Sequence, residues 1–587
     1  MKFLLAAINA KYIHSNPAIY SLRAYAGEEL RDSIMLGEYT INQSMGEILG
    51  DIYLKRPDAV GFSCYIWNWR LVEELVEELP KLLPETDIWL GGPQATFDAP
   101  EILKRYGQIT GIMVGEGEVS FRELMKHYVQ GKEGNRGLEQ CPGLCLREGY
   151  TAPAKPADMS GLPFLYEDLE PFSNKIIYYE SSRGCPYRCS YCLSSIDKRV
   201  RLRDIHVVKR ELQFFLDHKV KQVKFVDRTF NCDHEHALAI WRYLQEHDNG
   251  ITNFHFEISA DILKEEEIQL LNNLRPGLVQ LEIGVQSVNP RTLEAIHRRA
   301  DMERLESAVE DIRKGHRIHQ HLDLIAGLPF EDYESFAKSF DKVYSMKPHQ
   351  FQLGFLKVLK GSAMYEDAKG YGIRYMSRPP YEVLCTDWLS YEEILRLKGI
   401  EEMVEVYYNS GQYSHTLAFL EKAFEGPFVM YETLAGFYKA GGYFLKSPAR
   451  AERFRILLDF AECFDGENLP VYRELMTYDM YLRENLKSRP DFTESREEFR
   501  ESMRNFYIRE EKERSYLPDY GKYDWKQMSK MTHMEPFFYQ VWDPQGVTCR
   551  RTRPAFVLFD YQRRNPLNKE ARTILIEKPE EAFLERK

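Results

Sequence analysis

Between Ile176 and Leu356 six apolar runs of strand length recur, at Ile176–Ser182, Val223–Asp227, Phe254–Ser259, Val279–Val285, His321–Ala326 and Gln350–Leu356, separated by amphipathic stretches. Parallel strands need this alternation, because parallel neighbours cannot be joined by a tight turn and are connected by crossover helices instead. Six such units predict an incomplete barrel of parallel strands. In barrels of this kind the loops at the carboxyl ends of the strands carry the chemistry. The polar motifs of this chain fall at those ends.

Upstream, strand-like runs at Lys2–Asn9, Ile34–Ile41, Ala59–Tyr65, Asp87–Leu90 and Gly111–Val114 alternate with helical stretches and predict a Rossmann-like α/β domain over 1–130. Pro17 after Asn16 reads as a helix start, with Asn as cap and Pro in the first turn. Gly131, Gly134, Gly137, Pro142, Pro153, Pro156 and Pro163 mark 131–172 as a linker with short strands. The barrel-like unit then occupies 173–386. Beyond it, helical spacing at Tyr391–Tyr408, Thr416–Phe424 and Ala449–Cys463 predicts a mostly helical domain over 387–587, expected to close over the barrel mouth. Its Tyr and Phe residues read as core, Pro554–Asp560 as a short strand, and the final Glu/Lys-rich residues as solvated.

A chain of 587 residues exceeds one hydrophobic core, in keeping with several domains. With 44% hydrophobic and 29% charged residues it has the balance of a soluble globular protein. A net charge of −12 argues against a nucleic-acid binder and points to a small-molecule or peptide partner. The run Met1–Asn9 is too short to span a membrane and lacks a signal-peptide cleavage pattern. Ten unevenly spread cysteines fit a reducing compartment, so the expected location is the cytoplasm, where clustered thiols bind metal more often than they form disulfides.

The string Glu180-Ser-Ser-Arg-Gly-Cys-Pro-Tyr-Arg-Cys-Ser-Tyr-Cys192 places Cys185, Cys189 and Cys192 in one loop after a strand. Thiolates are the usual ligands of iron–sulfur clusters, and three of them leave one iron of a four-iron cluster open to an external ligand. A zinc knuckle would need a fourth nearby ligand, and the closest, His206, is distant in sequence.

This C-x-x-x-C-x-x-C loop after the first strand of a partial barrel resembles that of the radical SAM superfamily, over about residues 175–370. The resemblance implies a 4Fe-4S cluster on the three cysteines whose open iron binds S-adenosylmethionine, and reductive cleavage to a 5′-deoxyadenosyl radical. It also implies an electron donor such as flavodoxin or ferredoxin. By the same resemblance, cofactor contacts fall on Asp227 at the second strand end, Glu257 at the third, Glu282, Gln286 and Ser287 at the fourth, and Ile325 at the fifth. Many family members carry Gly-Gly-Glu where this chain has Val226-Asp227-Arg228, so Asp227 stands as a substitute. The alternative for these polar groups is a barrel-mouth hydrogen-bond network, with Arg228 as an ion-pair residue.

A Rossmann-like domain before such a core resembles the cobalamin-binding subclass. The residues carrying this are Ala59-Val-Gly-Phe-Ser-Cys-Tyr-Ile-Trp-Asn68, Leu90-Gly-Gly-Pro-Gln-Ala-Thr96 and Val114-Gly-Glu-Gly-Glu118. Glycines at strand ends let a bulky cofactor approach the backbone. The resemblance implies cobalamin contacts at Ser63, Gly91, Gly92, Gly115 and Glu116. The Asp-x-His-x-x-Gly signature that supplies a lower cobalt ligand is absent and His14 has the wrong spacing, so cobalt without a protein histidine is expected.

The activity implied is radical methyl transfer to an unactivated carbon or to phosphorus, the methyl passing from methylcobalamin to a substrate radical. A cobalamin-dependent rearrangement or cyclisation is the alternative enzyme, a non-catalytic cobalamin-binding or scaffold protein with a silent core is the alternative outside enzymes, and an empty Rossmann fold used for substrate or protein contact is the alternative for the first domain. Cys64, Cys141 and Cys145 have the count, though not the spacing, of the extra cluster in methylthiotransferases. Cys141 and Cys145 read better as packed strand-entry residues.

Overall fold

The computed structural model describes residues 1–130, 137–543, 545–546 and 550–576. Gly131, Gly134 and the final Glu/Lys-rich stretch lie outside the described residues.

The first sheet is built on strands β1 (Phe3–Asn9), β2 (Ile34–Thr40), β3 (Ala59–Ser63), β4 (Asp87–Gly91) and β5 (Ile109–Met113). They run parallel in the order β2-β1-β3-β4-β5, so the strand order reverses between β1 and β3. β1 shows why such strands lack polar alternation. Leu4, Ala6 and Ile8 enter one apolar cluster, while Phe3, Leu5 and Ala7 enter another that is continuous with the barrel core. Both faces are covered, as a parallel sheet requires. The helix Pro17–Ala26 starts as its sequence predicts, with the Asn16 side chain accepting from the Ile19 amide.

The Gly- and Pro-rich stretch corrects one expectation. β6 (Leu144–Leu146) and β7 (Gly149–Tyr150) add to the first sheet antiparallel beside β5, so this part of the presumed linker belongs to the amino-terminal unit. The hairpin turns at Arg147-Glu148, and Pro142 and Pro153 lie outside its strands.

The second sheet holds β8 (Ile177–Tyr179), β11 (Gln222–Phe225), β12 (Asn253–Ile258), β13 (Val279–Gln286), β14 (His319–Ala326) and β15 (Gln350–Phe355). All six pair parallel in the order β15-β14-β13-β12-β11-β8, the partial barrel that the spacing predicts. Between β8 and β11, β9 (Ser182–Arg183) and β10 (Arg201–Leu202) pair antiparallel and bracket the cysteine loop. Outside the barrel, β16 (Arg374–Tyr375) and β17 (Val383–Cys385) form a hairpin.

The remaining domain is helical over Tyr391–Met403, Ser414–Leu420, Pro427–Ala440, Arg450–Asp465, Leu469–Arg483 and Arg500–Glu513. It also holds a three-stranded antiparallel sheet of β18 (Thr532–Phe537), β19 (Ala555–Arg564) and β20 (Ala571–Ile576). The expected strand at 554–560 is thus the centre of a sheet. This domain packs along the flank of the barrel and also reaches the carboxyl ends of β14 and β15, where Trp388 meets Phe330 and Lys398 lies over Phe355. The Asn409 side chain donates to the Phe351 carbonyl and accepts from the Phe351 amide, both at 2.8 Å, and so occupies the free edge of β15. Phe428 packs on Phe340 with ring centroids 5.4 Å apart, and Tyr333 donates to Glu432 at 2.6 Å.

Candidate active site: two adjoining cavities

A cavity of about 360 Å³ opens at the carboxyl edge of the first sheet, near its strand-order reversal, where open α/β sheets bind ligands. Ser63, Gly91, Gly92, Gly115 and Glu116 all line it, with Tyr65 after β3 and Tyr178, Glu180 and Arg183 from the barrel side. Gly92 adopts φ +98°, and a Cβ there would stand 2.7 Å from the Cys64 carbonyl oxygen. At Gly115, with φ +80°, a Cβ would meet nothing within 4 Å. The backbone is therefore bare where it borders the cavity. Tyr65 stacks on Trp67 with centroids 4.2 Å apart. His14 is absent from the lining and bonds instead to the Tyr178 hydroxyl at 2.6 Å, where the segment after β1 pairs with Ile176 beside β8.

A second cavity, of about 190 Å³, lies in the barrel and contains Cys185, Cys189 and Cys192 with Arg228, Glu257, Glu282, Gln286, Arg298, Arg299 and Asp323 in its wall. The loop bearing the cysteines is pinned at several points. Gly184, at φ +94°, passes so close to Arg199 that a Cβ would lie 2.5 Å from its carbonyl oxygen. The Cys185 amide donates to Asp197, the Ser190 amide to Ile296, and the Met364 amide to Ser190. Among the described residues only Glu282, His321 and Asp323 bring three ligating atoms within 4.8 Å of one another. The three cysteines share one loop and one cavity, and among the described residues no fourth Cys or His lines that cavity to complete a four-ligand zinc site. A cluster whose ligands attach to different irons fits them better.

The polar wall divides into groups that reach the cavity and groups that do not. Glu257 pairs with Arg228 at 2.9 Å. Glu282 accepts from Lys224 at 3.0 Å and lies 2.9 Å from His255 Nε2. Burial alone would raise its pKa, but the His255 bond and the Lys224 ammonium hold the carboxyl at about 2. With Lys224 and His255 already on it, the Glu282–His321–Asp323 group reads as a charge network and not as a cation site. Gln286 sits at φ +73° beside a β-bulge, and its Oε1 is buried without a hydrogen-bond partner. An unpaired acceptor at a strained strand end bordering a cavity is suited to a ligand's donor.

Three expected contacts fall elsewhere. Asp227 is fully buried, accepting from the Ser181 amide and hydroxyl at 2.9 and 2.6 Å and from the Ser182 hydroxyl at 2.7 Å. Its oxygens are consumed in fixing the segment that leads to the cysteine loop, and burial pushes its pKa up to about 7. Ser287 is also fully buried and donates to Glu331 at 2.6 Å. Ile325 packs against the apolar core and borders neither cavity. Each lies at a strand end as the sequence suggests, but the bulge and strand twist that decide where it points are tertiary features.

The cavities adjoin across the end of β11, where Val226 lines the first and Arg228 the second. Arg183 joins them, donating to Glu118 at 2.5 Å and Glu116 at 3.1 Å, while Arg201 also pairs with Glu116. Sequence reasoning missed these pairs and Arg298, since isolated Arg and Glu residues carry no spacing signal. Cys64, Cys141 and Cys145 do not gather: Cys64 lies in one core cluster with Cys145, and Cys141 in the other. No described residue after Asp323 lines either cavity, so the described part of the carboxyl-terminal domain forms no wall of them.

Comparison with known proteins agrees with this geometry. Residues 4–125 match the B12 binding domain and 179–343 the radical SAM superfamily. The chain thus carries a B12-binding domain ahead of a radical SAM domain, a pairing whose cofactors are cobalamin, a 4Fe-4S cluster and S-adenosylmethionine. Its particular mark is the stretch 369–559, which matches a family described as protein of unknown function (DUF4080).

The chain is similar to 2-(S-pantetheinyl)-carbapenam-3-carboxylate methyltransferase of Streptantibioticus cattleyicolor, 24% identical over 64% of this chain and 57% of that protein. It is likewise similar to anaerobic magnesium-protoporphyrin IX monomethyl ester cyclase of Rubrivivax gelatinosus, 22% identical over 54% of this chain and 59% of that one. It thus spans little more than half the length of these curated relatives. Among solved structures, the cobalamin-dependent S-adenosylmethionine radical enzyme OxsB with aqua-cobalamin bound covers 81% of this chain and 80% of its own at TM-score 0.54 and 14% identity. The methyltransferase TsrM from Kitasatospora setae covers 65% and 82% at TM-score 0.52 and 18% identity. At such identities the likeness is one of fold. No described helix is long and apolar enough to cross a membrane.

Proposed function

We propose that the protein is a cobalamin-dependent radical SAM methyltransferase acting on an unactivated carbon or phosphorus centre of a small molecule or peptide. The observation that carries this reading is the junction at β11, where a glycine-walled cavity meets one walled by three cysteines. When bound, the cluster with S-adenosylmethionine supplies an organic radical, and cobalamin supplies a methyl group. Cys185, Cys189 and Cys192 hold the cluster. Gln286, Glu257 and Glu282 face S-adenosylmethionine, with the unpaired Gln286 oxygen accepting from it. Ser63, Gly91, Gly92, Gly115 and Glu116 border cobalamin, and no histidine of this chain stands among them. Arg228 stands at the junction, where the substrate would meet both groups. Excluding water from that space protects reactive species. The electron comes from a flavodoxin- or ferredoxin-type donor in the cytoplasm.

Cobalt and iron content of protein made with a cobalamin supply and purified without oxygen is the first test. Near-stoichiometric cobalt with about four irons per chain is the expected result. Iron without cobalt would remove the assignment of the first cavity. Resemblance to a cyclase keeps rearrangement or cyclisation as the second reading. Release of S-adenosylhomocysteine in step with 5′-deoxyadenosine on substrate supports methyl transfer, and 5′-deoxyadenosine alone supports the second reading.

A further inference from the structure

Arg298 follows the helix Pro290–Ala295, far in sequence from the cysteine loop, yet it reaches into the cavity that holds the three thiols. Its Nη1 lies 3.9 Å from Cys189 Sγ, within range of a hydrogen bond to sulfur, and its Nη2 donates to the Gly284 carbonyl. Its Nε is buried without a hydrogen-bond partner, and the groups around it that favour the charged guanidinium are Tyr191, Cys189 and, more weakly, the Asp261 carboxylate. A guanidinium drawn largely out of water depends on the electron-rich groups around it, since an unpaired buried ion costs several kcal/mol. The neighbouring thiol sulfur is what it is aimed at.

We infer that Arg298 is a positioning residue that sets the reduction potential of the cluster by placing a fixed positive charge against the Cys189 ligand. This rests on the cluster reading above. Three thiolates outweigh the charge of the oxidised core, so the occupied site is anionic and adds counter-charge beside the guanidinium. Reduction brings one electron from the external donor, breaks no bond and adds one further negative charge. A cation in contact with a ligand sulfur favours that added charge and raises the potential, since net charge and hydrogen bonds to the sulfurs are what tune such clusters. Arg299 lines the same cavity but has no contact with a ligand sulfur, which makes it the control for long-range charge.

The test is an anaerobic redox titration of the reconstituted holoenzyme with dithionite, followed by electron paramagnetic resonance, for wild type, R298Q, R298K and R299Q. R298Q is expected to lower the reduced-to-oxidised ratio at fixed potential by at least about tenfold, which for a one-electron couple is about 59 mV. R298K and R299Q are expected to stay within about threefold of wild type. A midpoint for R298Q equal to that of wild type would overturn the inference while leaving the cluster assignment intact. Should R298Q hold no cluster, R298K decides: a fall of tenfold with its charge retained would likewise overturn it, and a wild-type value would support it. A wild-type chain that binds no iron would overturn both the inference and the reading beneath it.

Discussion

Arg183 stands two residues before Cys185 and donates to Glu118 of the amino-terminal domain at 2.5 Å. Its other nitrogens reach Glu116 at 3.1 Å and Glu180 at 2.8 Å. One side chain therefore ties the mouth of the first cavity to the loop that forms the second. Glu118 is 6% exposed, and burial that would raise its pKa is outweighed by the Arg183 contact, which lowers it.

Removing that cation strands a buried carboxylate. Breaking one side of a buried pair costs about 3–5 kcal/mol. R183Q is expected to speed amide hydrogen exchange across 115–118 and 184–203, and adding E118Q to slow it again. Equal exchange in wild type, single and double variants would show that the pair does not hold the two cavities together.

Asp227 makes stability depend on pH in a stated direction. Burial lifts its carboxyl from an ordinary 3.8 to about 7, against the opposing bonds from Ser181 and Ser182. The folded state then binds a proton that the unfolded state releases, so this contribution is full below about 4 and lost as pH rises through about 7. The melting temperature of wild type relative to D227N is expected to fall between pH 5 and pH 8. A constant difference over that range would mean that Asp227 does not titrate there.

N409A would uncover the edge of β15. The amide and carbonyl of Phe351 both bond to the Asn409 side chain, and a buried group left unsatisfied costs about 1–3 kcal/mol. A lower melting temperature is expected, with a greater tendency to associate through the exposed strand edge. Thermal melting and light scattering check both, and unchanged values would show that water replaces the side chain at no cost.

Adjacent glycines should respond differently to a methyl group. At Gly92 a Cβ would meet the Cys64 carbonyl at 2.7 Å with φ at +98°, whereas at Gly91 its nearest neighbour is Met113 Cε at 3.6 Å. G92A should destabilise by about 1–3 kcal/mol and displace the loop bearing Ser63 and Tyr65, while G91A should be close to neutral. Cobalamin retained after gel filtration and the melting temperature of each variant compare them; equal behaviour would remove the steric argument.

The strand segments of both sheets were legible in the sequence because apolar runs of strand length repeat with helices between them, a local pattern. So were the cysteine loop and the glycines after β4 and β5, whose residue types are dictated by chemistry and by backbone conformation. Asn16 and Pro17 likewise announce their helix through bonds made within a few residues.

What composition and spacing could not decide are the directions of side chains and the meetings of distant segments. Asp227, Ser287 and Ile325 lie at strand ends yet turn away from the cavities, since local twist and the bulge near Gln286 set where each points. Residues 144–150 joined the first sheet although the stretch around them is rich in Gly and Pro, a pairing with β5 that only the tertiary structure shows. Arg298 meets Cys189 across 109 residues, and Arg183 meets Glu118 across 65. The sequence by itself determined which segments form strands and which loops carry thiols and glycines, because those depend on neighbours along the chain. Only the tertiary structure decided which charges meet those loops, because a buried charge finds its partner through space.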